Sequence, residues 1–560
     1  MWPFRLNAPT AYLGIKGFGM TVDTCKVLMI FPRFNTDSFW NYRATCELSG
    51  ARYPAAPLGL ITVAALLPES WHVRLVNRNT ETLTEADLEW ADLVMTGGML
   101  FQQPDVLRII DMCRARRKPV AVGGPDVTST PDIYSSANFR VLGEAEEIME
   151  DFVAAWRSGA EEGFFQAPMG QTDVTRSPTP RFDLLKLDDY LHVGIQFSRG
   201  CPFNCEFCDI IELYGRVPRT KTNEQVLAEL DALYALGYRG HVDFVDDNLI
   251  GNKKALKKFL PDLQSWMNKK YFPFEFSTEA SINLADDPEL LSALAAANFF
   301  AIFVGIESPD TDTLVSMRKK QNTRRSLQES IYKIYDAGIF VIAGFIVGFD
   351  SEKHSTAEGM IECIEDTAIP VCAVGLLYAL PATQLGRRLL REGRLFPGYD
   401  APSPQDAGDQ CTIGLNFETK RPRRDVLADY QAVLEAVYDP ATYFGRVRRV
   451  GRMLRRGKRR FKAPLKHALW DLRAFVRLIW RLPNAGPGTA RQFWKTMLDC
   501  TIHNPRALPF LVMLSALYLH HGPFSRQVIA EIGRQIEDID LGRWRDPQRV
   551  PADDEALSVA

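Results

Sequence analysis

The run Phe197-Ser198-Arg199-Gly200-Cys201-Pro202-Phe203-Asn204-Cys205-Glu206-Phe207-Cys208 decides how this chain is read. Its cysteines are spaced C-x3-C-x2-C, so one short loop delivers three thiolates. No fourth cysteine or histidine stands in the loop. Thiolates hold iron–sulfur clusters, and four of them complete the coordination of a [4Fe–4S] cube. Three leave one iron open to a ligand from outside the chain. A structural zinc site would instead be closed by four protein ligands. Three unrelated buried cysteines would have no reason to share so tight a spacing.

The strand Gly194-Ile195-Gln196-Phe197 feeds this loop. Downstream, Thr222-Asn223-Glu224-Gln225 is a capping box that opens a helix with Val226, Leu227, Leu230, Leu233 and Leu236 on its apolar face. Strand patterns recur at 242–245, 274–277, 301–304, 339–347 and 371–377, with helical patterns between them. Six βα units make an incomplete parallel barrel, whose chemistry belongs at the carboxyl ends of its strands. Asp246 and Asn248 follow the second strand, Ser277 and Glu279 close the third, and Glu307 closes the fourth. Buried carboxylates need partners. Ammonium or ribose hydroxyl groups of a bound molecule would serve, and plain capping of the next helix is the competing use of Asp246-Asp247-Asn248.

Upstream lies a doubly wound α/β pattern. Strands are expected at 26–31, 73–76, 93–98, 119–124 and 139–142, and a helix at 58–67. Two strands end in paired glycines, Gly97-Gly98 and Gly123-Gly124, the second followed by Pro125. Glycine lets backbone approach a ligand at a strand's carboxyl end, although tight turns use the same pair. The expected organisation is an extension (1–24), a Rossmann-like domain (25–155), a linker (156–190), the barrel domain (191–400), a mainly helical domain (401–545) and a tail (546–560).

The chain of 560 residues is 46% apolar and 24% charged, with a net charge of −3. These values fit a globular multidomain protein and give no overall pull toward nucleic acid. The other cysteines, among the 10 in the chain, show no paired framework, which suits a reducing cytoplasm. The first residues lack the parts of a signal peptide. No apolar run reaches the roughly 20 residues that span a bilayer.

The cysteine loop closely resembles that of the radical S-adenosylmethionine enzymes. The resemblance implies a [4Fe–4S] cluster held by Cys201, Cys205 and Cys208, with S-adenosylmethionine on the open iron. An electron from the cluster then cleaves that molecule to a 5′-deoxyadenosyl radical, which takes hydrogen from an unreactive carbon. Phe207 matches the aromatic usual between the second and third cysteines. Gly344-Phe345-Ile346-Val347-Gly348-Phe349-Asp350 is similar to the family's G-x-I-x-G-x-x-E strand, with Asp350 standing for the glutamate. Gly123-Gly124-Pro125-Asp126-Val127-Thr128, then Gly143-Glu144-Ala145-Glu146, and residues 54–60 look like the cobalamin-binding domain that precedes many such barrels. On that resemblance Gly97, Gly98, Gly123, Gly124, Pro125, Gly143 and Glu144 are cobalamin contacts. Asp246, Asn248, Ser277, Glu279, Glu307, Gly344 and Gly348 are S-adenosylmethionine contacts. The D-x-H-x-x-G cobalt-ligand motif is absent, and His72 is the first domain's one histidine, so the corrinoid is expected without histidine coordination.

Residues 180–185, 246–252, 305–308, 380–385 and 392–394 resemble the cobalamin-dependent radical enzymes that carry an extra C-terminal helical domain, among them the hopanoid C-2 methylases. The resemblance implies methylation of an unactivated carbon of a hydrophobic small molecule. A reductase, flavodoxin or ferredoxin would supply electrons. Ring closure or rearrangement without methyl transfer, and a corrinoid or redox sensor, are the competing readings. The basic run at 446–466, with apolar residues near helical spacing, fits a helix lying on an anionic membrane surface. This would place a cytoplasmic enzyme on the inner membrane face. A solvated helix face is the plainer reading, Gly451 weakens the helix, and no RNA-binding module accompanies the run. The run at 508–519 is too short to span and fits an apolar wall.

Overall fold

The computed structural model describes residues 24–35, 37–400, 414–455 and 465–550, with side chains in the last segment from 472. The expected extension before residue 24, the loop at 402–408, the basic run at 456–464 and the tail from 551 lie outside the described residues.

β1 (Lys26–Phe31) carries Val27, Leu28, Met29 and Ile30 fully buried. Such an uninterrupted apolar run is what a strand covered on both faces requires. It is followed by β2 (Tyr53–Ala55), β3 (His72–Asn77), β4 (Leu93–Gly97), β5 (Val120–Gly123), β6 (Phe139–Leu142) and β7 (Gly163–Gln166). Six of these form a parallel sheet of order β3-β1-β4-β5-β6-β7. The order reverses between β1 and β4, and ligands of such sheets bind outside the strand carboxyl ends at that switch point. β7 falls inside the stretch expected to be a linker. It is a four-residue edge strand with Phe164 half exposed, too short and too open to leave a periodic signal.

The second sheet uses β8 (Tyr190–Ile195), β11 (Gly240–Phe244), β12 (Phe274–Glu279), β13 (Phe299–Glu307), β14 (Phe340–Val347) and β15 (Val371–Leu376), while β9 (Ser198–Arg199) and β10 (Arg219–Thr220) form a short antiparallel ribbon. Its order is β15-β14-β13-β12-β11-β8-β2, parallel throughout. The last member comes from the first domain: Tyr53 pairs with Tyr190 and Ala55 with His192. The chain leaves the first sheet, lends three residues to the barrel, and returns to β3. Pro54 is tolerated there because β2 is an edge strand with one unpaired side.

On β11 and β12 the outward residues Val242, Phe244, Phe276 and Thr278 are buried under helices. Their inward neighbours His241, Asp243, Glu275 and Ser277 keep accessible surface. Phe303, Ile342, Ile346 and Ala373 do the same on β13–β15. The sheet is therefore packed outside and hollow inside.

C-terminal helices close the open side. Helix Arg423–Tyr438 lies on β15, where the Tyr438 hydroxyl donates to the Cys372 carbonyl at 2.7 Å and Tyr430 to Val374 at 3.2 Å. Helix Leu508–Asp540 brings Phe510 to 6.3 Å from both Phe300 and Phe340. Farther along, His520 bonds the Ser38 carbonyl at 2.9 Å and Thr45 donates to Ala516 at 3.3 Å. This helix continues past the apolar run read from the sequence. It is the one helix among the described residues long and apolar enough to cross a membrane, with mean hydropathy 1.2 in its best window. More than half of that window is buried in the core.

In the described part of the basic run Arg446 is buried, while Arg452 and Arg455 stay exposed and pair at the surface. Arg446 is fully buried and bonds the carbonyls of Ile369 (2.8 Å) and Val437 and the Glu365 carboxylate. Arg449 also pairs with Glu365, Arg452 with Asp499 and Arg455 with Asp336, while Arg448 bonds Gln492 and Thr496. Arg446, Arg449 and Arg455 thus tie the helical region to the barrel, and Arg448 and Arg452 cross-link it internally. Gly451 lies within the helix Pro440–Met453 rather than breaking it. A Cβ there would come within 2.9 Å of Leu511, so the glycine admits close packing against helix Leu508–Asp540.

Candidate active site

The cysteine loop leaves the carboxyl end of β8 and is braced by the acids after β11. Asp246 accepts from the Phe197 amide at 3.0 Å, from the Ser198 hydroxyl at 2.6 Å and from the Ser198 amide. Asp247 accepts from the Gly200 amide at 2.7 Å. Gly200 has φ +93°, and a Cβ there would meet the Gly215 carbonyl at 2.9 Å. The Asp246 carboxylate is thus committed to the cysteine loop rather than to capping a helix. Burial pushes Asp246 up to about 7 and Asp247 up to about 6, against the pull of these bonds.

Cys201, Cys205 and Cys208 are free thiols. The Asn248 amide points at the Cys201 sulfur (3.9 Å), and the Gln321 amide at the Cys205 sulfur (3.7 Å). Hydrogen bonds to sulfur are one means by which a protein tunes an iron–sulfur cluster. Among the described residues no three acidic, histidine or cysteine side chains converge as ligands of one metal ion. The loop's three thiolates, with amide donors aimed at two of the sulfurs, fit a cube that takes each thiolate on a different iron.

A buried ion pair faces the loop. Lys319 meets Glu307 at 2.5 Å, sits 5.7 Å from the Phe207 ring and feels Cys205 and Cys208. Burial alone would lower the lysine, but Glu307 and the cysteines outweigh it and keep it charged. Glu307 has φ +65°, a strained conformation for a side-chain-bearing residue. A Cβ on Gly305 would come within 2.8 Å of the Lys319 ammonium, so the glycine makes room for the pair. Gly344 faces Phe303, with 3.0 Å left for a Cβ. Asn248 also ties down Ser281, at 3.1 Å. Glu279 retains accessible surface although Asp243, Asp247 and Glu307 surround it, the environment of a side chain lining a hollow. Burial, then those charges, push its carboxyl up to about 8. Ser277 lies deeper, bonded to His241 and Asp243.

The glutamate expected at Asp350 is elsewhere. Asp350 is held by Arg394 (2.6 Å) and Arg388 (2.8 Å). Glu352, two residues on, receives the Gly348 amide on both carboxylate oxygens at 3.1 Å. Gly348 has φ +109°, which permits this return.

At the first sheet's carboxyl edge, Gly97, Gly98, Gly123 and Gly124 form a shelf without side chains. A Cβ on Gly97 would collide with the Gly123 carbonyl, and Gly124 holds φ +98° against Gly98. Pro125 starts the short helix Pro125–Ser129, and Met99 beside the shelf is 53% exposed. Gly143 has φ +82° and donates its amide to Thr128 at 2.9 Å. His72 is exposed at the opposite, amino end of β3, so it cannot reach this shelf. A large planar ligand with no histidine beneath it fits such an edge.

Glu144 is held by two arginines. It accepts from Arg199 at 3.0 Å and Arg219 at 2.8 Å, and Glu146 accepts from Arg199 at 2.7 Å and Ser177 at 2.6 Å. The two carboxylates are 2% and 3% exposed. Burial would raise Glu146, yet the Arg199 bonds prevail and hold it at about 2. The segment after β6 is thereby latched to the residue two before Cys201. Sequence reasoning quoted Arg199 and Glu146 without a role and missed Lys319. Lysine and arginine are mostly exposed, so nothing local marks these three as buried.

The Radical SAM superfamily model matches residues 195–364, and a domain of unknown function (DUF4070) matches 383–534. The chain is 42% identical over 516 residues to an uncharacterized methyltransferase of Synechocystis sp., covering 92% of this chain and 94% of that protein. It is 37% identical over 424 residues to the hopanoid C-2 methylase of Rhodopseudomonas palustris, covering 74% and 77%. In fold it is similar to the cobalamin-dependent S-adenosylmethionine radical enzyme OxsB, solved with aqua-cobalamin bound, at TM-score 0.57 and 13% identity over 96% of this chain and 83% of that one.

Proposed function

We propose a function from one premise: the chain belongs to the radical S-adenosylmethionine methyltransferase family, that of the hopanoid C-2 methylase and the Synechocystis relative. Methyl transfer, rather than rearrangement or sensing, is the activity of that family. The substrate is a hydrophobic, hopanoid-like molecule, methylated at an unactivated carbon. Cys201, Cys205 and Cys208 would hold a [4Fe–4S] cluster and the glycine shelf a cobalamin. When bound, the cluster supplies the electron that cleaves S-adenosylmethionine and the corrinoid supplies the methyl group.

The chain's own residues position and shield. Asp246 and Asp247 fix the loop, Asn248 and Gln321 direct donors at sulfur, and Lys319 and Glu279 offer charge-matched contacts to a zwitterionic ligand. Gly344 would present backbone without a side chain to an adenine, whereas the Gly348 amide is already taken by Glu352. The latch Arg199–Glu144/Glu146 is the observation that carries the reading, since it brings the carboxyl edges of both sheets to one place. A reductase, flavodoxin or ferredoxin would supply electrons in the cytoplasm, with the lipid-like substrate met at the inner membrane face.

Anaerobically reconstituted protein with a hopane substrate and reductant should release 5′-deoxyadenosine and S-adenosylhomocysteine together and add one methyl group to the hopane. Cys201→Ala, Cys205→Ala and Cys208→Ala should each abolish 5′-deoxyadenosine. Deoxyadenosine without any methylated product in wild type would defeat the assignment.

A further inference from the structure

The bore of the half-barrel carries a polar group that the cofactors leave unused. Register puts His192, His241 and Glu275 in one row across β8, β11 and β12, and Gly194, Asp243 and Ser277 in a row nearer the mouth. Glu279 stands two residues beyond Ser277. At about 3.3 Å per residue the histidine row lies roughly 13 Å beneath Glu279.

Proton positions follow from the contacts. The Ser277 hydroxyl donates to Asp243, so its 2.6 Å contact with His241 Nε2 is donated by the imidazole. His241 Nδ1 is then a bare acceptor. Its ring lies 5.1 Å from that of His192, whose Nδ1 is buried without a partner. Burial lowers both imidazoles, although Asp243 partly offsets this at His192. Each is therefore neutral, with one donor and one acceptor. From the other side Tyr42 stands near Asp243 and 5.5 Å from His521, which is fully buried with neither ring nitrogen bonded. His520 and His521 lie on the far side of Tyr42, with ring centroids 5.8 and 5.5 Å from it. Buried polar atoms in native proteins are paired, so this concentration of orphans points to a ligand. Toward the mouth the lining turns apolar: Trp40 lies 5.5 Å from Phe303, and Trp40 and Val245 are 41% and 37% exposed.

We propose that His192, His241, Asp243, Ser277 and Tyr42 form a hydroxyl-binding pocket that selects a rigid hydrocarbon bearing an alcohol at the end remote from the methylated carbon. An alcohol donates to one bare imidazole nitrogen and accepts from the other ring's N–H. A plain hydrocarbon leaves both unpaired. A carboxylate would be repelled by Asp243 and Glu275. The depth of the pocket below the mouth requires an elongated substrate.

The inference rests on the methylase reading for its substrate, but binding tests it separately. Reconstituted holoenzyme is equilibrated with a hydroxylated hopane or the hydroxyl-free hopane, each presented in detergent micelles. Wild type should bind the alcohol at least tenfold more tightly, a comparison that needs no variant. His192→Phe should erase that preference, and His192→Asn, which keeps a donor and an acceptor, should retain part of it. Equal binding of the two probes by wild type, or a preference that survives His192→Phe, would overturn the proposal. Selective binding of the alcohol with no methyl gained would leave the pocket standing and defeat the methylase reading instead.

Discussion

Removing the latch between the sheets gives a quantitative test. Glu146 is held at about 2 rather than near 4.5, which corresponds to about 3 kcal/mol of preference for the charged form. Its side chain is 3% exposed, so solvent screens little of this. Arg199→Met, Glu146→Gln and the double variant form a cycle whose coupling energy should lie in the upper part of the roughly 0.5–3 kcal/mol range for residues in contact. The full chain has several domains, so a single unfolding transition is the wrong probe. Amide hydrogen exchange of residues 143–147 and 197–201 in the holoprotein reads the local opening free energy instead. Each single variant should lose about a hundredfold in protection there, and the double variant little more. The pH dependence has a definite sign. The folded-state value lies below the unfolded one, so the stabilisation is complete above about 4.5 and disappears only as pH falls through about 2. The coupling must therefore be the same at pH 6, 7 and 8. A coupling below 1 kcal/mol, or one that changes over that range, would refute the assignment of a charged latch.

Two further outcomes are expected. Glu279, pushed up to about 8, holds a proton at pH 7 in the free site, so a cation bound beside it should expel that proton. Calorimetry of S-adenosylmethionine binding in two buffers of different ionisation enthalpy should register proton release at pH 7 that is lost in Glu279→Gln; no release in wild type would contradict it. Gly97→Ala places a methyl on the Gly123 carbonyl and should cost about 1–3 kcal/mol while releasing cobalamin. Wild-type melting and corrinoid retention in that variant would show the shelf to be elsewhere.

The barrel and the first sheet were legible because their strands are continuous apolar words: β1 is covered on both faces, and β14 turns apolar Ile342 and Ile346 to the bore. The cysteine loop was legible because its ligand spacing is local. What failed were features made by distant partners. β2 is three residues with a proline, and only its pairing to β8 makes it a strand. The basic run at 446 looked like a surface because sequence hides the acids, Glu365 and Asp499, that neutralise it from other helices. Asp350 occupied the place expected of a glutamate, yet Glu352, two residues on, makes the return to Gly348, whose left-handed backbone permits the longer turn.

These distant partners also explain why the architecture suits radical chemistry. A carbon radical must meet its methyl source before it meets water or side chains, so both cofactor edges have to share one enclosed space. Two sheets joined by a flexible linker would not ensure that. Here the chain makes two separate connections: β2 sews the first domain into the barrel edge, and Arg199 ties the segment after β6 to the cysteine loop. The floor is closed by helix Leu508–Asp540, which bonds segment 38–45 as well as packing under Phe300 and Phe340. The C-terminal helical region therefore covers the lower end of the barrel, and truncating it should expose Phe300 and Phe340 to water.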